Sequence, residues 1–104
     1  MHKYRVYFLP DAIKDLENIY LYIVEQSGFP GRAWNYMERL KSKCQELENF
    51  PIRGQLRSDL MEGLRIYPLD NKVVVAFLVN EADLTVQVLN VFYGGRDYEA
   101  LFDS

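Results

Sequence analysis

Cysteine, histidine and surplus basic charge are all scarce in this chain, and each scarcity closes off a class of function. One cysteine among 104 residues permits no internal disulfide and no cysteine cluster for zinc, so a reducing cytoplasm is the expected setting. That residue, Cys44, falls on an apolar helical stripe, where a buried, inert thiol is expected rather than a nucleophile. The one histidine, His2, stands at the N-terminal end, where side chains are seldom held firmly enough for general acid–base work. Twelve Lys and Arg against fifteen Asp and Glu give a net charge of -3, so gripping nucleic acid through its phosphates is disfavoured. No apolar run approaches the roughly 20 residues of a membrane span, and the N-terminus reads as a strand rather than a secretion signal. Neither a G-x-G-x-x-G nor a Walker pattern is present, and no cofactor is expected.

What is present is organised. A chain of this length fits one domain, residues 1–104, with a single core. Residues 4–9 alternate and are rich in aromatic and β-branched types, which predicts a first strand. Pro10-Asp11 breaks it and starts a helix, with Asp11 as the predicted N-cap. Ala12, Leu16, Ile19 and Ile23 share one helical face, and Gly28 is the expected stop. Pro30 opens a second helix whose stripe is Ala33, Met37, Leu40, Cys44 and Leu47. The short connection between them predicts an antiparallel hairpin.

Residues 51–63 read as an irregular connector carrying Arg53 and Arg57. Three consecutive strands follow, with a two-residue turn predicted at Asp70-Asn71 and a looser one at residues 80–83. Residues 73–79 are apolar without alternation, which predicts a central strand covered on both faces. One helical hairpin covers only one face, so the C-terminal tail or a partner protein is expected to shelter part of the other. The fold class is therefore α+β: an antiparallel sheet packed on a two-helix hairpin, in the order β-α-α-β-β-β with a short tail.

Several residues could carry chemistry or bind a partner. Arg65 opens a strand and Arg96 follows Gly94-Gly95 at the end of the last one. Arginines so placed can converge on a phosphate or carboxylate through their rigid forks. Arg53 reads as an ordinary surface residue. Simple alternation puts Phe92 beside Val86 and Val88 in the core and turns Tyr93 to the opposite face. Tyr93 is thus the better candidate for stacking on a base or filling an interface pocket. Glu62 could act as a base, although a loop carboxylate is ordinarily solvated. Trp34, with Tyr20, Tyr22 and Tyr36, makes the hairpin rich in aromatics, either packed between helices or exposed as a protein-binding patch.

An ordered set of motifs spans nearly the whole chain: YRVYFLPDAIKDLENIYLYI at the start; Ala33, Tyr36, Leu40, Leu47, Phe50, Pro51 and Gly54 through the second helix and connector; GLR at residues 63–65; and VQVLNVFYGGRD at residues 86–97. This set resembles the ParE/RelE superfamily of bacterial toxins, which belong to type II toxin–antitoxin (plasmid stabilisation) systems. The resemblance implies a sheet on a helical hairpin, wrapped by an extended or helical segment of a cognate antitoxin. RelE-like members cleave mRNA on the ribosome; ParE-like members poison DNA gyrase by binding. Carried over, Arg65 matches the sheet arginine of both branches, and Tyr93 falls where many members have His or Tyr. A nuclease would draw on Arg57, Arg65, Tyr93 and Glu62; a binding toxin would use Arg65, Tyr93, Arg96 and Trp34 as partner contacts. The connector lacks lysine and no histidine lies near the C-terminus, so the resemblance tips toward the ParE branch, with the ribosome-dependent endoribonuclease as the alternative.

Overall fold

The computed structural model describes residues 3–95 and 98–102. Its elements run β1 (Arg5–Phe8), α1 (Pro10–Ser27), α2 (Pro30–Gln45), a 3₁₀ turn at Glu46–Glu48, β2 (Gln55–Leu56), β3 (Arg65–Pro68), β4 (Val73–Asn80), β5 (Thr85–Tyr93) and α3 (Tyr98–Phe102). The α+β plan agrees with the sequence reading, but the sheet is mixed rather than antiparallel. Its order is β1-β5-β4-β3-β2, with β1 parallel to β5 and the other pairings antiparallel. The chain leaves β1 through the hairpin, starts again at the far edge with β2, and meanders back. It therefore reaches β1 running in the same direction. The connector is not wholly irregular, since β2 closes that edge with two residues.

Local chemistry sets the helix ends. Leu9 still donates its N–H to the Val88 carbonyl at 2.9 Å, so strand feeds directly into helix and Pro10 takes the first helical position. Proline fits there because it has no N–H to leave unpaired. Leu9, not Asp11, is the N-cap, and it makes no side-chain cap bond. Asp11 lies in the first turn, where its charge still suits the helix N-terminus. Gly28, at φ 73°, ends α1 and donates to the Val24 carbonyl. Between β3 and β4 the expected two-residue turn is a longer connection over residues 69–72. Asp70 Oδ1 accepts the Lys72 and Val73 N–H groups at 2.8 and 2.9 Å. That carboxylate closes the turn without positive φ at either Asp70 or Asn71.

Of the predicted helical stripes, Ala12, Leu16 and Ile19 on α1 and Ala33, Met37, Leu40 and Cys44 on α2 are buried, Ile23 is only partly buried, and Leu47 is buried in the 3₁₀ turn beyond α2. They pack on Val73, Val75 and Phe77 of β4 and Val86, Val88 and Val91 of β5. The opposite sheet face holds a second core of Leu64, Ile66, Ala76 and Phe92, with Tyr98 and Phe102 of α3 against it. The tail thus supplies cover that the hairpin cannot, its rings lying 6.0 and 6.4 Å from Phe92.

Within β5 the pairing slips. Asn90 lies opposite Ala76 but Val88 opposite Phe77, leaving Leu89 as the extra residue of a β-bulge. Side chains beyond it change face. Phe92 is therefore not beside Val86 and Val88, as alternation alone implied, but in the second core. Tyr93 moves correspondingly to the helical side.

Candidate functional site

The α1/α2 hairpin buries its stripe toward the sheet and still has apolar side chains left over. Ile13 and Leu21 on α1 and Trp34 on α2 are 48%, 61% and 56% exposed. With Phe8, Tyr20 and Met37 they line a groove of about 780 Å³. Glu17, Lys41 and Gln45 contribute the polar lining, and the Lys41 ammonium sits 5.8 Å from the Trp34 ring centroid. A concave apolar surface with a few polar groups matches the apolar face of an amphipathic helix. The sequence points to Trp34 but not to Ile13 and Leu21. Their signal was an apolar band on α1 wider than one core-facing stripe needs.

The side chains that a nuclease would draw on are dispersed. Arg57 faces the α3 side of the sheet. Its Nε and Nη2 donate to both oxygens of Asp59 at 3.0 and 2.9 Å, and Nη1 donates to Glu99 at 3.1 Å and the Tyr98 hydroxyl at 3.4 Å. The Asp59 and Glu99 carboxylates hold the guanidinium above its usual range, and that same pairing depresses Asp59. Arg65 pairs across the strands with Phe77, which puts it on the helical face. Glu62 is exposed in the loop before β3. Arg96 lies outside the described residues, as does His2.

Tyr93 is held in an aromatic cluster. Its ring meets Tyr22 edge-on at 5.7 Å and Tyr36 at 6.3 Å. The Tyr36 hydroxyl donates to Asp70 Oδ2 at 2.7 Å. Burial and then that carboxylate push the Tyr36 phenol well above its ordinary value. Burial works against ionisation of Asp70. The Lys72 N–H, the Tyr36 hydroxyl and the Val73 N–H outweigh it and hold the carboxyl below its usual range. The cluster therefore anchors α2 to the β3–β4 turn.

Comparison with protein families matches residues 6–98 to the ParE toxin of the type II toxin–antitoxin system parDE. The chain belongs to the ParE toxin family. Solved structures agree on the fold. The chromosomal ParDE toxin–antitoxin system of P. aeruginosa is similar at a TM-score of 0.75 and 21% identity, over 90% of this chain and 99% of that one. The RelBE2 toxin–antitoxin complex of Mycobacterium tuberculosis is similar at 0.62 and 17%, over 88% and 98%. A comparison with functionally curated proteins gives no match. Within this ParE-family chain no helix among the described residues is long and apolar enough to cross a membrane.

Proposed function

We propose that this toxin of a type II toxin–antitoxin pair acts in the cytoplasm by binding DNA gyrase, and that a cognate antitoxin neutralises it through the α1/α2 groove. Such a pair is of the plasmid-stabilising kind. The observation that carries the choice of target is the scatter of acid–base and phosphate-holding side chains. Arg57 is taken up by Asp59, Glu99 and Tyr98 on one face of the sheet. Arg65 lies on the other face, and the Tyr93 ring is held edge-on against Tyr22 and Tyr36. In-line cleavage of RNA needs a base, an acid and a phosphate clamp within reach of one phosphodiester, and these residues do not meet that requirement together. A binding surface needs no such convergence.

Support for the antitoxin site comes from the groove. Its exposed Trp34, Leu21 and Ile13 are the kind of anchors that helix-in-groove recognition uses. The two similar structures are described as a toxin–antitoxin system and a toxin–antitoxin complex.

The deciding experiment incubates the purified chain with gyrase and relaxed plasmid, then treats with detergent and protease. Linear DNA that depends on the chain is the expected result. Loss of full-length mRNA on translating ribosomes, with gyrase untouched, would replace this reading with the endoribonuclease one.

A further inference from the structure

A second cavity lies on the flank of α1 away from the groove. It encloses about 140 Å³ and is lined by Asp15, Asn18, Ile19 and Tyr22 of α1 with Val91 and Tyr93 of β5. Successive helical residues turn by about 100°, so these α1 positions point roughly opposite to Ile13, Glu17 and Leu21 of the groove. The two hollows sit on either side of the buried stripe of Ala12, Leu16 and Ile19. The volume is that of roughly four to five waters at about 30 Å³ each. Drug-sized molecules take sites of about 300 Å³ and more, so this one suits a single small head group.

Its walls say which head group. Ile19 and Val91 are buried and make an apolar floor. The Tyr22 and Tyr93 rings meet at 5.7 Å with their planes inclined by 61°, which makes a corner rather than a closed sandwich. Tyr22 is 49% exposed and keeps open ring surface. Asp15 supplies charge. Its Oδ2 is fixed by the Val91 N–H and the Asn90 amide, while Oδ1 has no hydrogen bond among the described residues. The fold thus holds the carboxylate in place with one oxygen to offer. Asp11 and Glu25 are exposed on the same side of α1 and deepen the negative potential, and Lys14 is the single cation of that helix.

An anchored carboxylate beside two electron-rich rings selects cations over anions and neutral groups. A metal ion would want more oxygens than one carboxylate and one amide provide, and no group of three metal-ligating side chains occurs among the described residues. Of the organic cations, a guanidinium fits best. It is planar, weakly hydrated, lies flat on an aromatic face and donates to a carboxylate, whereas a compact ammonium gives up more water to enter. We infer that this cavity is a guanidinium site, receiving the head of an arginine side chain from a bound protein or of a small free guanidine. The site is independent of the choice between gyrase and ribosome as target.

The test follows the Tyr22 and Tyr93 ring signals of the full chain by NMR at constant ionic strength. The probes are methylguanidinium, methylammonium and the neutral isostere N-methylurea. Methylguanidinium is expected to shift both rings with half-saturation in the millimolar range, methylammonium to bind several-fold more weakly, and N-methylurea to leave them unmoved. Asn18→Lys places an ammonium at an exposed lining position and should weaken binding about tenfold or more. Tyr22→Leu should do the same, whereas Tyr22→Phe keeps the ring and should retain binding. Urea titration checks that each variant is folded; should one of the first two fail, the other carries the comparison. Agmatine and a capped Gly-Arg-Gly peptide separate the two sources. Tighter binding of the peptide assigns the site to a protein side chain, tighter binding of agmatine to a free guanidine, and equal binding means that the head group alone is read. Equal shifts with N-methylurea, no shift of either ring with methylguanidinium up to about 100 mM, or unchanged binding in a folded Asn18→Lys or Tyr22→Leu variant overturns the proposal.

Discussion

Asp15 on α1 accepts the backbone N–H of Val91, just past the β5 bulge, at 2.9 Å on Oδ2, and the same oxygen accepts the Asn90 amide at 3.2 Å. A bulge interrupts the regular ladder, and here a helix carboxylate satisfies a backbone group beside the irregularity. Replacing Asp15 with alanine leaves a part-buried N–H without its acceptor. The expected loss is about 1–3 kcal/mol, read from the urea midpoint. Asp15→Asn keeps an acceptor and should lose less.

Trp34→Ala is predicted to leave stability within about 0.5 kcal/mol, because the residue is surface-exposed and outside the buried stripe. It should nevertheless weaken antitoxin binding by about 2 kcal/mol, as removal of an aromatic anchor does. Calorimetric titration of the antitoxin into wild type and variant measures both affinity and heat.

The Tyr36–Asp70 bond predicts losses of stability at both ends of the pH scale. Asp70 ionises more readily in the folded chain. Its contribution is present above the unfolded carboxyl value of about 4 and is lost as pH falls through the lower folded value. Tyr36 is shifted upward, so its contribution is intact below the unfolded phenol value of about 10 and is lost as pH rises beyond it. Urea midpoints across pH should therefore show Asp70→Asn flattening the acid limb and Tyr36→Phe the alkaline limb.

Cys44 is fully buried, and burial alone pushes its thiol up to about 12. Alkylation by iodoacetamide at mildly alkaline pH should follow the unfolding rate rather than thiol ionisation. Rapid labelling of the native chain would contradict this. Cys44→Ser, which buries a hydroxyl, is expected to cost about 1–3 kcal/mol.

Gly54 is the most constrained glycine of the fold. At φ 78° its Cα lies against β3, where an added Cβ would run into the Ile66 carbonyl oxygen and come within 2.9 Å of the Tyr67 Cβ. Gly54→Ala should destabilise by about 1–3 kcal/mol and displace neighbouring Arg53. Gly28→Ala, with no neighbour near its added carbon, should cost about 1 kcal/mol through φ alone.

The helices were legible because amphipathic spacing is a local signal: Ala12, Leu16 and Ile19, and Ala33, Met37, Leu40 and Cys44, are buried as read. The run of residues 73–79 likewise announced a strand covered on both sides. Other features depend on partners distant in sequence. Leu89 is an ordinary strand residue, so nothing in TVQVLNVFY marks it as the one left over. Its register emerges only against β4, and with it the face of Phe92 and Tyr93. The pairing of Arg57 with Glu99 joins residues 42 apart, and no spacing rule reaches that far. Of the site, the prominence of Trp34 was readable, whereas the Tyr36–Asp70 bond became visible only once the β3–β4 turn lay beside α2.

Parallel pairing places Arg5 beside Thr85 and Phe8 beside Val88. Translation makes β1 well before its sheet neighbour β5. Until residues 85–88 arrive, β1 lacks its backbone partner, and the helical hairpin lacks β5, the strand against which α1 packs. The nascent chain thus carries its exposed hairpin before the sheet can close, and contacts of such long separation form slowly. An antitoxin already in the cell meets a toxin whose groove residues are synthesised ahead of its finished fold.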